Sequence, residues 1–255
     1  MNNLFFCENI TKNYNGEAVV RDINLELPPL GFISLVGASG VGKTTLFNVL
    51  SGVDKPDTGN VFLNGENITG ITGKVSYMLQ KDLLLEYRTV IDNVILPLLI
   101  QGEKKKSARE HAAEYFEMFG LNGYENKYPN ELSGGMRQRA ALLRTCLTSS
   151  RENSQVLNPV ILLDEPFSAL DAITRRKMQV WYASIAEQMK ISTMFITHDV
   201  EEALVLSDTI YIMNGKPGVI TQKIDVKPPR PRSPEFAVSK EFTEQKKFVF
   251  NAIGD

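Results

Sequence analysis

Residues 32–45 read Phe-Ile-Ser-Leu-Val-Gly-Ala-Ser-Gly-Val-Gly-Lys-Thr-Thr, an apolar run that leads into a glycine-rich loop. The run Phe32–Val36 is typical of a strand buried on both faces of a sheet. The next eight residues, Gly37–Thr44, fit the phosphate-loop pattern. Its glycines let backbone N–H groups converge on a phosphate, and the helix that follows points its positive end at the same group. The stretch predicts a nucleotide site, with Lys43 on the β and γ oxygens and Thr44 on Mg²⁺.

The composition narrows the class of protein. The chain has 255 residues, enough for a large core, with 43% apolar and 23% charged residues and a net charge of −2. No broad basic surface is expected, so nucleic acid is not a predicted partner. No signal peptide is recognisable, and the strongest apolar run, Val94–Ile100, is far shorter than the roughly 20 residues that span a bilayer. A protein without such a run would need partner proteins to act at a membrane. Cys7 and Cys146 are predicted to be reduced thiols.

The segments around the loop predict an α/β fold. Residues 1–30 read as antiparallel strands in which Ile23, Leu25 and Leu27 alternate with polar neighbours. Asn64-Gly65 is a strong signal for a hairpin turn. Further apolar runs, at Val160–Leu163 and Thr193–Thr197, complete a mostly parallel sheet covered by helices on both faces.

Residues 82–150 are rich in Leu, Glu, Lys and Ala and predict an inserted helical subdomain. One helix is expected over Lys106–Phe119, and Gly120 suits its end. A polar loop is expected at 149–158, and a Pro-rich stretch at 227–234 precedes a short helix. We therefore predict one domain over residues 1–255. Its parts are an α/β core with an antiparallel β subdomain (1–81 and 151–226), a helical subdomain (82–150) and a Pro-rich segment with the C-terminal tail (227–255).

Two carboxylates follow the apolar run at 160–163. Ligands of open α/β sheets bind beyond the carboxyl ends of the strands, which is where Asp164 and Glu165 are expected. Asp164 could hold Mg²⁺ through water, and Glu165 could polarise an attacking water as general base. Alone, the pair would be read as an acidic turn; beside a phosphate loop it indicates nucleotide hydrolysis.

Residues 132–138 read Leu-Ser-Gly-Gly-Met-Arg-Gln. Ser133 can cap the helix that begins with the glycines, and its hydroxyl and the open N–H groups form a second anion site. With the motifs above, this segment resembles the signature of the ATP-binding subunit of ABC transporters, and the resemblance covers nearly the whole chain. It implies that Ser133, Gly134, Gly135 and Gln138 close on the γ-phosphate of ATP held by a second copy, so the working unit is a homodimer.

The resemblance assigns roles to further residues. Gln80, after a predicted strand at 75–79, would touch Mg²⁺ and the attacking water, and His198 would bond the γ-phosphate and position the glutamate. Ser168 and Asp171 would contact the opposite subunit. Tyr14 matches the aromatic that stacks on adenine, although it could simply be a turn residue. The implied ATP-binding residues are Tyr14, Gly37, Ala38, Ser39, Gly40, Val41, Gly42, Lys43, Thr44 and Thr45.

The segment after Gln80 is rich in leucine. In the resembled family this region grips a cytoplasmic helix of the membrane permease, and Leu83, Leu84, Leu85 and Tyr87 could supply that socket. The competing interpretation is internal core of the helical subdomain. We expect a mixture, with about half of these side chains exposed. The implied location is the cytoplasmic face of a membrane, with a permease bound directly and a solute-binding protein indirectly.

Three stretches resemble the nitrate, sulfonate and taurine importer branch, which also includes importers of pyrimidine vitamin precursors. They are Thr197–Leu204, Asn214–Ile220 and Pro229–Arg232. The loop at 149–158 is longer than in that branch, and Leu85-Glu86-Tyr87 replaces its common Pro-Trp. Within Thr197–Leu204, Asp199 and Glu202 suit a reciprocal capping pair that would fix His198.

The expected reaction is hydrolysis of ATP to ADP and phosphate, powering uptake of a small solute. The alternative is an ABC-type ATPase acting on DNA or ribosomes, but such proteins carry coiled-coil insertions, zinc sites or two ATPase halves. A P-loop kinase would leave residues 132–139 and 168–171 without a role.

Overall fold

The computed structural model describes residues 3–147 and 159–254. The strands are β1 (Phe5–Tyr14), β2 (Glu17–Leu27), β3 (Phe32–Val36), β4 (Thr58–Leu63), β5 (Glu66–Asn67), β6 (Ser76–Met78), β7 (Val160–Asp164), β8 (Ser192–Thr197), β9 (Thr209–Asn214) and β10 (Val219–Asp225). The α-helices are α1 (Lys43–Leu50), α2 (Val90–Val94), α3 (Leu96–Ile100), α4 (Lys105–Phe116), α5 (Gly134–Leu147), α6 (Ala172–Gln188), α7 (Val200–Leu206) and α8 (Lys240–Gly254).

The N-terminal strands form an antiparallel sheet in the order β2-β1-β4-β5. The alternation in β2 is confirmed, because Ile23, Leu25 and Leu27 are all buried on the face that packs over α1. The predicted hairpin is also confirmed. Asn64 and Gly65 adopt φ angles of 52° and 80° between β4 and β5, as this tight turn requires.

The second sheet has the order β10-β9-β3-β8-β7-β6. Strands β6, β7, β8, β3 and β9 are parallel, and β10 pairs antiparallel with β9. Every residue of β3, β7 and β8 is buried, which explains their continuous apolar sequences. The carboxyl ends of β3, β8, β7 and β6 lie side by side at one edge, so the segments that follow these four strands converge there.

Helices α2 to α5 form the inserted arm, and their core is continuous with the packing beneath β6 and β7. Helix α4 ends at Phe116, three residues before the predicted Phe119. The predicted cap at Gly120 is confirmed, because Gly120 adopts φ +62°, its N–H donates to the Glu117 carbonyl at 2.9 Å, and the Leu121 N–H donates to the Phe116 carbonyl at 2.8 Å.

Trp181 of α6 lies where the core meets the arm. Its ring packs edge-on against Phe119, with centroids 5.3 Å apart, and the Arg139 guanidinium lies 5.2 Å from the ring. Its indole Nε1–H donates to the Met118 carbonyl at 3.4 Å. A core helix therefore contacts both α5 and the end of α4.

The C-terminal helix α8 has 15 residues and is longer than the short helix predicted. Phe242, Val249 and Ala252 bury one face of it against α7 and β9. The predicted loop at 149–158 and the boundary between residues 150 and 151 lie outside the described residues. Among the helices described, none has the length and apolar character needed to cross a bilayer.

Candidate nucleotide-binding and catalytic site

The phosphate loop connects β3 to α1, and two of its glycines are required by its geometry. A Cβ on Gly37 would lie 2.2 Å from the Met213 carbonyl oxygen, and Gly42 adopts φ +107°. The Lys43 ammonium donates to the carbonyls of Gly37 at 2.7 Å and Ala38 at 2.9 Å. Burial lowers the pKa of Lys43, and the nearby carboxylates oppose that shift. The loop thus places a buried cation at its centre.

Two side chains with oxygen atoms suited to bind a metal ion, Thr44 and Asp164, lie beside this lysine. The Thr44 hydroxyl donates to Asp164 Oδ2 at 2.9 Å, and the Tyr77 hydroxyl donates to the same oxygen at 3.4 Å. Burial raises the pKa of Asp164, while the Thr44 and Tyr77 hydrogen bonds lower it. A hydroxyl, a carboxylate and the amide oxygen of Gln80 are the hard oxygen ligands that Mg²⁺ prefers, so the donor set fits that ion.

Glu165 lies between the two residues expected to assist it. Gln80 Nε2 donates to Glu165 Oε2 at 3.2 Å, and His198 Nδ1 lies 3.2 Å from Glu165 Oε1. Glu165 has φ +45°, a left-handed conformation that is costly for a residue with a Cβ, and its N–H donates to the Ile196 carbonyl. Strain of this kind clusters at functional sites, and here it falls at the residue that directly follows β7.

The segment around His198 departs from expectation in one respect. Asp199 caps α7 as predicted, accepting from the N–H groups of Glu201 and Glu202. The reciprocal half is wrong, because the Asp199 N–H donates to Thr197 Oγ1 and the buried Glu202 carboxylate accepts from Gln179 Nε2 at 2.9 Å. Glu202 is therefore directed toward α6 rather than back to the cap.

Ser133 caps α5, since its hydroxyl accepts from the Met136 N–H at 3.3 Å. Ser133 and Gly134 are exposed. A Cβ on Gly134 would lie 3.9 Å from Leu170, and one on Gly135 would lie 3.5 Å from a Thr174 methyl. The signature segment and the 168–171 loop are therefore neighbours on one surface.

The Gln138 side chain does not lie on this surface. It is buried, and its amide donates to the Pro166 carbonyl within the same chain. The expectation that Gln138 faces a partner's nucleotide is therefore not met by this geometry. Its hydrogen bond instead joins α5 to the segment that follows Glu165.

The 168–171 loop lies between Glu165 and α6. The Ser168 hydroxyl donates to the Glu165 carbonyl at 2.9 Å. The exposed Asp171 carboxylate accepts from the N–H groups of Ile173 and Thr174 and caps α6. These bonds to Thr174 and the backbone lower the pKa of Asp171.

Tyr14 ends β1, and the residue is 42% exposed. Its hydroxyl donates to Asp54, and Lys12 Nζ lies 5.1 Å from the ring centroid. The hydrogen bond to Asp54 raises the pKa of Tyr14 to about 12. The ring is thus fixed and accessible, as an adenine-stacking residue needs to be.

The sequence did not predict the hydrogen bond from the Tyr77 hydroxyl to Asp164. It also did not predict the contacts that Arg175 and Gln179 of α6 make with Asp199 and Glu202. Tyr77 is one residue within a short strand, and its type alone does not indicate a role. The contacts that Arg175 and Gln179 make with the segment around α7 depend on how the two helices pack, and the Gln179–Glu202 pair is 23 positions apart in the chain, which leaves no local signal.

The glycine loop after β3, with Asp164 at the end of β7 and Glu165 directly after it, defines a P-loop nucleotide hydrolase. The ABC transporter family model matches residues 20–168, more than half of the chain, and the chain belongs to that family. Formylaminopyrimidine import ATP-binding protein ThiZ of Halalkalibacterium halodurans is 44% identical over 185 residues, 72% of this chain and 69% of that protein.

Aliphatic sulfonates import ATP-binding protein SsuB of Bacillus cereus is 38% identical over 231 residues, covering 91% of this chain and 86% of that protein. Among solved structures, the dimeric post-hydrolysis state of the ATP-binding cassette MJ0796 bound to ADP and Pi superposes with a TM-score of 0.72. It is 26% identical and covers 88% of this chain and 100% of that one. The predicted family, its importer branch, the α/β fold and ATP hydrolysis are confirmed, and neither a kinase nor a non-transport ATPase is favoured.

Proposed function

We propose that this chain is the ATP-hydrolysing subunit of an importer, bound as a homodimer to a separate permease at the cytoplasmic face of the membrane. Its relatives ThiZ and SsuB are named for import, and the MJ0796 structure is dimeric. The observation that carries the proposal is the Glu165 carboxylate, 3.2 Å from both Gln80 and His198 beside the phosphate loop.

The catalytic roles follow from the side-chain contacts. Lys43 offsets the charge of the β and γ phosphates, and Glu165 orients the attacking water and accepts its proton. His198 directs Nδ1 to Glu165, so Nε2 is the nitrogen that would bond the γ-phosphate. Thr44, Asp164 and Gln80 would hold Mg²⁺, partly through water, and the ion when bound neutralises charge on the phosphate oxygens. Tyr14 would stack on adenine, and the remaining loop residues would bind phosphate through their N–H groups.

The proposed dimer interface consists of the signature segment and the 168–171 loop. Ser133, Gly134 and Gly135 present the positive start of α5 on the same surface as Ser168 and Asp171. ATP held by one phosphate loop would meet this surface of the partner subunit. Gln138 would act within its own chain by supporting Pro166.

The permease is proposed to dock on the arm next to Gln80. Leu83 and Tyr87 are 51% and 75% exposed, whereas Leu84 is buried and Leu85 is intermediate, so about half of the predicted socket is accessible. A cavity of about 140 Å³ lies there, lined in part by Leu79, Leu83 and Pro97. The cargo would be a small solute such as a formylaminopyrimidine or an aliphatic sulfonate, delivered by a solute-binding protein.

Glu165→Gln tests the assignment. The amide keeps the size of the side chain and one acceptor oxygen but cannot accept a proton, so steady-state phosphate release should fall by about a hundredfold or more. ATP binding should persist, and gel filtration with ATP should show a trapped dimer. Glu187→Gln, at an exposed position on α6, is the matched control and should retain wild-type turnover. Turnover of Glu165→Gln near the wild-type rate would show that Glu165 is not the general base.

A further inference from the structure

We propose that Arg175, in the first turn of α6, is a positioning residue that joins the 168–171 loop to His198. Through it, the loop that meets the partner subunit would set the position of the switch histidine. The inference rests on the proposed function, since it assumes that His198 assists hydrolysis and that the loop lies at a dimer interface.

One guanidinium connects the two segments. Arg175 Nη2 donates to the Leu170 carbonyl at 3.0 Å, inside the 168–171 loop. Arg175 Nη1 lies 3.6 Å from Asp199 Oδ2, and Asp199 both follows His198 and caps α7. The Arg175 side chain is only 30% exposed, so these contacts are partly shielded from solvent. A displacement of Leu170 would therefore move the Arg175 guanidinium and, through it, Asp199, the residue next to His198.

A second contact lies one turn further along α6. Gln179 and Glu202 are both buried and joined by a 2.9 Å hydrogen bond. The Glu202 carboxylate also accepts from Thr197, the residue before His198. Arg175 and Gln179 share one face of the helix at a spacing of four residues. The residues on both sides of His198 are therefore held by α6, directly or through Glu202.

The surroundings of Arg175 also indicate a constrained role. A cavity of about 10 Å³, close to the size of one water, is lined by Arg175 together with Glu165, Ser168 and His198. Arg175 Nε is buried and has no hydrogen-bond partner within residues 3–147 and 159–254. Buried N–H groups without a partner are rare, so helix stability alone does not explain an arginine here.

Steady-state ATP hydrolysis by the purified full-length chain tests the proposal. Arg175→Met should lower kcat by about tenfold or more, because small misplacements of catalytic groups are costly. KM should stay within about twofold, since no proposed ATP-binding contact is removed. Arg176→Met, at the exposed neighbouring position, should keep the wild-type kcat. Arg175→Lys should keep the melting temperature but also lose kcat, because one ammonium cannot make both contacts. Wild-type kcat in both Arg175 variants would overturn the inference.

A double-mutant cycle identifies the route of action. If Arg175 acts through His198, adding Arg175→Met to His198→Ala should change the residual rate by less than about twofold. A full further loss in the His198→Ala background would show that Arg175 acts elsewhere and overturn the inference. Wild-type turnover of His198→Ala alone would instead contradict the proposed catalytic site. The two failures are thus distinguishable.

Discussion

Glu202 shows how a single buried carboxylate can link the segment around His198 to the stability of the protein. It is 5% exposed, and burial raises its pKa above the ordinary value of 4.5 despite donors from Thr197 and Gln179. A carboxyl whose pKa is higher in the folded state binds its proton more tightly there. The stability it contributes is therefore fully present below pH 4.5 and is lost as pH rises through the folded pKa.

Glu202→Gln should remove this pH-dependent loss. The glutamine oxygen can still accept from Gln179, so the variant should become more stable relative to wild type as pH rises from about 4 to about 7. Urea unfolding at several pH values in that range measures the difference. Glu187→Gln gives the baseline for an exposed position. A difference between wild type and Glu202→Gln that stays constant with pH would contradict the prediction.

At the residue scale, the sequence predicted which residues the structure brings together wherever local spacing decides their placement. Lys43 and Thr44 follow from one glycine pattern, and Asp164 and Glu165 follow from one apolar strand. The partners of Glu202 and Arg175 could not be predicted, because they depend on how α6 packs against α7. Gln138 was recognised from its motif, but the direction of its side chain is set by the position of Pro166.

Among the elements, α5 has a structural role that its signature sequence does not reveal. Arg144, in the last turn of α5, donates to the carbonyls of Asp82 and Leu83 in the segment after Gln80. Leu83 has φ +47°, so its strained backbone is held by this contact. Burial lowers the pKa of Arg144, which nevertheless stays charged. The last turn of the helix capped by Ser133 thus holds the proposed permease socket in place.

Arg144→Ala should loosen the segment 81–85 without unfolding the protein. Hydrogen bonds from a charged group contribute about 1.5–3 kcal/mol, so local amide exchange there should accelerate by about tenfold or more. Hydrogen–deuterium exchange with mass spectrometry resolves this segment, and peptides from β3 serve as the internal reference. Lys104→Ala, at an exposed position before α4, is the control variant. Unchanged exchange over 81–85 would contradict the role of Arg144.

The existence and type of the main elements were predictable, because the strands are continuous or alternating apolar runs and the arm has helical composition. The glycine cap that closes the last turn of α4 was predictable as well, because Gly120 readily adopts the left-handed conformation required there. The length of α8 was not predictable. It is set by packing of Phe242 and Val249 against α7, a tertiary contact that local composition does not contain.

For the molecule as a whole, the two proposed partner surfaces are distinct. The signature segment and the 168–171 loop form the surface proposed to face a second copy, while Leu83 and Tyr87 lie on the arm near Gln80. Gln80 contacts Glu165, so the proposed permease surface is one residue contact away from the proposed general base. Binding at one surface can therefore bias the site that the other surface completes.

Tyr87→Asp should weaken permease binding while leaving ATP hydrolysis by the isolated chain unchanged. A charge on an apolar docking surface loses burial and leaves an unpaired carboxylate at the interface, a cost of about 2 kcal/mol or more. Affinity-tagged variants incubated with detergent-solubilised membranes should recover a polytopic membrane protein with wild type, whereas Tyr87→Asp should bind it about thirtyfold more weakly and recover correspondingly less. Val53→Asp is the control, because Val53 is 65% exposed on the surface of the α/β subdomain, away from the arm. Equal recovery by all three would contradict this docking surface.

Trp181 has a practical consequence. It is the sole tryptophan of the chain, and it lies between Phe119, Arg139 and the Met118 carbonyl at the meeting of core and arm. Excitation at wavelengths too long for tyrosine to absorb therefore gives fluorescence from one indole with a known environment. Emission wavelength and quenching of the unlabelled protein report on this junction alone, and they distinguish a rotation of the arm from events at the nucleotide or at the C-terminal helix.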